Sequence, residues 1–132
     1  MTSPYKPPGH HAVSPYLLVN SVAGLTAFLE AGFGASVVLT VPGEDGGIRH
    51  ASIQIDDSIV MLGERPATAA ASQGSTHIYV PDVDASYERA LGAGATAVAP
   101  PRDQPYGDRS AGVRDPEGNL WWIGTHRAAQ TG

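Results

Sequence analysis

The chain has no cysteine, which excludes disulfides, thiol nucleophiles and thiolate metal sites. It is also short of positive charge: 8 Lys and Arg stand against 13 Asp and Glu, a net charge of −5. No basic surface recommends nucleic acid or an anionic membrane as a partner. No apolar run approaches the roughly 20 residues that span a bilayer. Residues 1–11 hold no apolar stretch of the signal-peptide kind. A cytoplasmic protein is the expectation. What is present is 132 residues, 42% of them apolar, enough for one compact domain or two very small ones. The 16 Gly and 11 Pro suit short strands joined by tight turns.

Two segments repeat the same order of features. Ser14 and Ser75, Val19 and Val80, and Val22 and Val83 are each 61 residues apart. Each apolar stretch (Ser14 to Val19, Ser75 to Val80) leads through a capping residue, Ser21 or Asp82, into a helical stretch. The helices are expected over Val22 to Glu30, stopping at Ala31-Gly32, and over Val83 to Leu91, stopping at Ala93-Gly94. The same offset returns where Ile59 to Gly63 matches Leu120 to Gly124. Between helix and last strand each half has room for two strands: Ser36 to Val41 and His50 to Ile55, then Thr96 to Ala99 and Ser110 to Arg114. Each half reads β-α-β-β-β, and the shared order and offset point to duplication.

The expected fold is α+β, two βαβββ modules in tandem that form a cavity-bearing, curved mixed sheet with helices outside. The expected boundaries are a Pro-rich N-terminal arm (1–12), module 1 (13–64), a linker rich in Ala, Ser and Thr (65–74), module 2 (75–126) and a C-terminal tail (127–132).

Strand alternation sorts the residues into two faces. Leu17, Val19, Ala51, Ile53, Ile55, Val60, Leu62, Ile78, Val80, Trp121 and Ile123 suit the helix side. The other face receives Ser14, Tyr16, Leu18, His50, Ser52, Gln54, Ile59, Met61, Ser75, His77, Tyr79, Leu120 and Trp122. It has aromatics and a few polar groups but no Lys or Glu, the make-up of a small-molecule pocket and not of a solvated sheet.

The doubled unit and the ending Asp115-Pro-Glu-Gly-Asn-Leu-Trp-Trp122 resemble the vicinal oxygen chelate superfamily of glyoxalases, bleomycin resistance proteins and dioxygenases. The segments His50 to Glu64, Tyr106-Gly-Asp-Arg109 and Asp115 to His126 are most similar to its PhnB-like branch. The resemblance implies metal ligands at four positions, which here hold Ser14, Met61, Ser75 and Trp122. None is a good ligand for a hard or borderline divalent ion, so no metal and no other cofactor is expected.

Metal-free members of that family bind ligands between aromatic rings. The resemblance therefore implies a small, partly aromatic organic ligand, such as an antibiotic or biosynthetic intermediate. The expected ligand-binding residues are Tyr16, His50, Gln54, Met61, His77, Tyr79, Arg109 and Trp122. His50 and His77 are also candidate general bases, though a hydrogen-bonded pocket histidine fits either one. A lyase, isomerase or dioxygenase around these two, or a non-catalytic partner subunit, are the alternatives. A homodimer is expected, because pairing modules buries the second face. Asp108-Arg109 suits a carboxylate or carbonyl on a ligand, or the closing of its loop. The carboxylates of Asp115 and Glu117 are expected to be solvated in their turn.

Overall fold

The structure, a computed structural model, describes residues 5–67 and 73–127. Module 1 is built from β1 (Tyr16–Val19), α1 (Val22–Phe33), β2 (Ser36–Pro42), β3 (Ile48–Ile55) and β4 (Ser58–Glu64). Module 2 repeats it with β5 (Ser75–Tyr79), α2 (Val83–Gly92), β6 (Thr96–Asp103), β7 (Asp108–Arg114) and β8 (Leu120–His126). The expected βαβββ modules are present. Each makes a four-stranded mixed sheet, in the orders β1-β4-β3-β2 and β5-β8-β7-β6. The central parallel pair registers Tyr16 on Met61 in one sheet and His77 on Trp122 in the other. All four residues obey the 61-residue offset, so the duplication is structural as well as sequential.

Both helices start where their caps require. Ser21 Oγ accepts from Gly24 N at 2.9 Å, and Asp82 Oδ1 accepts from Ala85 N at 3.2 Å. Such caps contribute about 1 kcal/mol each. The first helix outruns its expected end. Gly32 is not its stop but a buried residue in its last turn, where the position of an added Cβ is 3.6 Å from Ala90 Cα. Its missing side chain lets α1 approach α2. The stop is Gly34, whose φ of 68° suits a residue without Cβ. The strand β6 outruns its expected end too, through Pro100 and Pro101. It lies at a sheet edge, where a missing N–H breaks no ladder, and its register shifts across the prolines.

One core serves both modules. The helices pack on each other as well as on their own sheets, and the Phe33 ring of α1 lies 5.2 Å from the Trp121 ring of β8. Leu25, Leu29, Ile53, Leu62, Val113, Trp121 and Ile123 are fully buried there. All the residues assigned to the helix side by alternation lie in or against this core.

The Asp115 turn departs from its expectation. Asp115 is buried and accepts from Glu117 N, Asn119 N, Asn119 Nδ2 and Trp121 Nε1, the last at 2.8 Å. Glu117 reaches across to module 1, where its two oxygens accept from Asn20 N at 2.9 Å and Ser21 N at 3.0 Å. These carboxylates are structural: one organises the turn and the indole, the other holds the start of α1, where a negative charge also suits the helix dipole. In the N-terminal arm, His11 Nε2 lies 3.0 Å from the carbonyl of Asp57, which ties the arm to the β3–β4 turn.

Candidate functional site

The face of each sheet turned from the helices carries the aromatic residues that alternation assigned to it. Tyr16 is 52% exposed, Tyr79 56% and Trp122 36%. Their rings lie over glycines of neighbouring strands. A Cβ added at Gly63 would lie 2.5 Å from Tyr16 Oη; one at Gly112 would lie 2.6 Å from Trp122 Cζ3; one at Gly124 would lie 3.1 Å from His77 Nε2. The first and third are equivalent by the repeat, since Tyr16 and His77, and Gly63 and Gly124, are each 61 apart. Absent side chains thus let the rings lie down on the sheet and form flat platforms.

On module 1 the Tyr16 hydroxyl is 3.4 Å from His50 Nδ1, and His50 Nε2 is 3.5 Å from Ser52 Oγ. Gln54 donates to the carbonyl of Asp56 at 3.0 Å, at the end of the same face. Met61 is half-buried between Tyr16 and Ser52 by strand register. An open groove of about 580 Å³ borders Tyr16, His50, Gly63 and Arg65.

On module 2 the rings of His77 and Tyr79 meet edge to face at 4.5 Å. Tyr79 donates its hydroxyl to Asp108 Oδ2 at 2.9 Å, and Asp108 Oδ1 lies 2.8 Å from His126 Nδ1. Asp108 is buried, while His126 stays largely exposed. The hydrogen bond to His126 holds the Asp108 carboxyl below its ordinary range, against the upward pull of burial, and the Tyr79 hydroxyl helps. In return the hydrogen bond to Asp108, with some burial, pushes the Tyr79 phenol above its ordinary value. A groove of about 430 Å³ runs between His77 and Tyr79 on one side and His11, Pro15 and Ile59 on the other.

Seven of the eight expected ligand residues therefore sit on these faces, and Arg109 does not. It faces α2, where Nε and Nη2 donate to Asp84 at 2.8 and 3.0 Å, and Nη1 reaches Asp103 at 3.3 Å. These pairings raise its pKa further and lower that of Asp84. Of the two open readings of Asp108-Arg109, loop closure is the one Arg109 follows. His50 and His77 are not brought together: they stand on different sheets with different neighbours. The sequence singles out Asp108 only together with Arg109 and gives His126 no role, because the expected strands begin at Ser110 and end at Gly124, short of both. Carrying alternation two residues further, through a glycine that still belongs to the strand, would have found both.

The positions that the resemblance assigns to metal ligands do not suit a metal. Trp122 and Met61 lie opposite His77 and Tyr16, Ser75 lies opposite Leu120, and neither indole nor hydroxyl makes a first shell. Among the described residues, no group of three or more His, Asp or Glu is arranged to hold an ion.

Comparison with known proteins finds a family model, Glyoxalase/Bleomycin resistance protein/Dioxygenase superfamily, matching residues 9–123. Uncharacterised proteins of Mycobacterium bovis and Mycobacterium tuberculosis are 37% identical over 124 residues, covering 86% of this chain and 82% and 73% of theirs. The crystal structure of TioX from Micromonospora sp. ML1 is 29% identical with a TM-score of 0.73, covering 92% of this chain and all of that one. The fosfomycin resistance protein FosX of Mesorhizobium loti shares the fold, at 20% identity and a TM-score of 0.67 over 91% of this chain and 95% of its own.

Proposed function

Because this chain belongs to the glyoxalase/bleomycin resistance protein/dioxygenase superfamily, we propose that it is a metal-independent binding protein for a small, partly aromatic organic ligand, an antibiotic or a biosynthetic intermediate. The observation that carries this reading is the set of rings laid over glycines, with Trp122 at a position where the family resemblance implies a metal ligand. An indole held flat and partly exposed is a stacking surface that is already ordered before a ligand arrives. Tyr16, His50, Gln54 and Met61 offer a second such surface, and His77 and Tyr79 border the first. Within the superfamily we favour the PhnB-like branch, on the segments His50 to Glu64 and Tyr106 to Arg109. We place the protein in the cytoplasm; no helix among the described residues is long and apolar enough to cross a membrane.

Each aromatic face belongs to one module, and the modules meet through their helices. A second copy that sets its module 2 face on module 1 of the first would enclose both faces at once by two-fold symmetry. We therefore propose a homodimer with two cavities, each lined by both chains.

The test is a fluorescence screen of aromatic compounds, followed by titrations and thermal melts of two variants. Trp122→Ala should bind the hit at least about fivefold more weakly, the loss of one stacking partner. Its stability should change little. Trp121→Ala should instead cost about 3–5 kcal/mol of stability, by opening a core cavity. Normal binding by Trp122→Ala would remove the platform from the site.

A further inference from the structure

The corner of module 2 beyond Trp122 has a hydrogen-bond polarity of its own. Along the strands, His77 and Trp122 form one row, Tyr79, Ser110 and Gly124 the next, and Asp108 and His126 the third. Successive rows on one face are about 7 Å apart, so one or two fused rings span from the Trp122 row to the Tyr79 row. The buried Asp108 carboxylate is an acceptor only. It takes the Tyr79 hydroxyl hydrogen at 2.9 Å and faces His126 Nδ1 at 2.8 Å. A neutral His126 must then carry its hydrogen on Nδ1, which leaves Nε2 as a bare lone pair. Tyr79 Oη has likewise given its hydrogen away. Neither Nε2 of His126 nor Oη of Tyr79 has another partner among the described residues, and both side chains are more than half exposed. With His126 neutral, Asp108 therefore turns two groups that are usually ambivalent into acceptors, fixed side by side.

We propose that Asp108, Tyr79 and His126 form a donor-reading corner of the ligand face, which selects aromatic ligands bearing a hydroxyl over their alkylated or unsubstituted counterparts. The ligand hydroxyl donates to His126 Nε2 with Tyr79 Oη beside it, while the ring lies against the His77 ring that covers Gly124, toward Trp122. This rests on the ligand-binding reading above and adds the chemical class. Ser110 shares the Tyr79 row, but its hydroxyl already accepts from Gln104 Nε2 at 3.1 Å and sits on the strand beyond β8. Nothing in this arrangement needs a metal or a redox partner.

The experiment compares 2-naphthol with 2-methoxynaphthalene, alike in ring area and different in the donor. Binding is followed by NMR on the Trp122 indole and the His126 ring, in the wild type and in His126→Ala. His126 is largely exposed at the end of β8, so His126→Ala should still fold although Asp108 loses one of its two partners, and a thermal melt checks this. The wild type should bind the naphthol at least about fivefold more tightly, the worth of one net hydrogen bond. His126→Ala should bind both probes alike, at the affinity of the methyl ether. Long-range proton–nitrogen spectra at alkaline pH should show His126 protonated on Nδ1 in the wild type. Equal affinities in the wild type, a preference that survives in His126→Ala, or a hydrogen on Nε2 would each overturn the proposal. If the two probes bind equally and Trp122→Ala weakens both, the ligand face stands and only its donor selection falls. If neither probe binds, both fall.

Discussion

Trp122 lies across Gly112, its partner in the β7–β8 register, with Cζ3 only 2.6 Å from where a Cβ would sit. The ring and the missing side chain are one feature: the indole is flat on the sheet because position 112 is empty. Gly112→Ala tests this directly. The added methyl should lift the indole into solvent and change the near-ultraviolet circular dichroism. Ligand affinity should fall about as far as in Trp122→Ala, while stability changes by only about 1 kcal/mol, the span of strand propensities, because the neighbour that must move is a partly exposed ring. An unchanged aromatic spectrum would show that the ring has room to slide.

Two copies should associate. Tyr16, Tyr79 and Trp122, with Val37, Val38 and Leu39 on the edge strand β2, leave a large exposed apolar surface for a chain of 13.7 kDa. Light scattering at micromolar concentrations should give twice the chain mass. Introducing Lys at Val38, which is 48% exposed, should shift the equilibrium toward monomer if that edge is covered in the dimer. A monomer mass across that range would refute the dimer and leave each face open.

The turn after β7 should be a stability hot spot. Removing the Asp115 carboxylate leaves the indole N–H of Trp121 and two donors of Asn119 buried without an acceptor. Asp115→Ala should cost about 2–4 kcal/mol in denaturant unfolding. Glu117→Ala should cost about 1 kcal/mol, since it removes the acceptor for Asn20 N and Ser21 N at the start of α1. Equal, small effects would mean that water replaces both carboxylates.

Stability should depend on pH at both ends through Asp108. Its folded pKa is lowered, so its contribution is present above the ordinary carboxylate pKa of about 4 and fades as pH falls below that. The Tyr79 pKa is raised, so its contribution is present below the ordinary phenol value of about 10 and fades as pH rises through the folded pKa above it. The groups facing this pair are His126 on β8, His77 on β5 and Tyr106 in the loop before β7. Melting temperatures across pH 2 to 11 should fall at both limits (a range set by those ordinary values). In Asp108→Asn both falls should flatten relative to the wild type. Parallel curves for the two proteins would place the pH dependence elsewhere.

The local pattern in the chain was enough for the modules and for which face of each strand meets the helices. Period-two alternation needs no partner to be read, and the repeat supplied every strand twice. It was enough for the platform residues too, since Tyr16 and Met61, and His77 and Trp122, fall into one register in both halves. Ends of elements were harder. Gly32 and Gly124 look like stops, because a glycine's local cost is the same wherever it sits. Only packing reveals that one admits α2 and the other lies beneath His77.

Two of the three carboxylates depended on tertiary structure. Asp108, Asp115 and Glu117 are the same kind of group in the sequence, set in similar turns and strand ends. Asp115 is held by donors only two to six residues on, but Asp108 and Glu117 are placed by donors distant along the chain: Tyr79 is 29 residues from Asp108, and Asn20 is 97 from Glu117. Arg109 was drawn from the ligand face by Asp84, 25 residues away on α2. Apolar patterning is a property of neighbours in sequence, whereas a charge is placed by whichever partners the fold brings within about 3 Å of it.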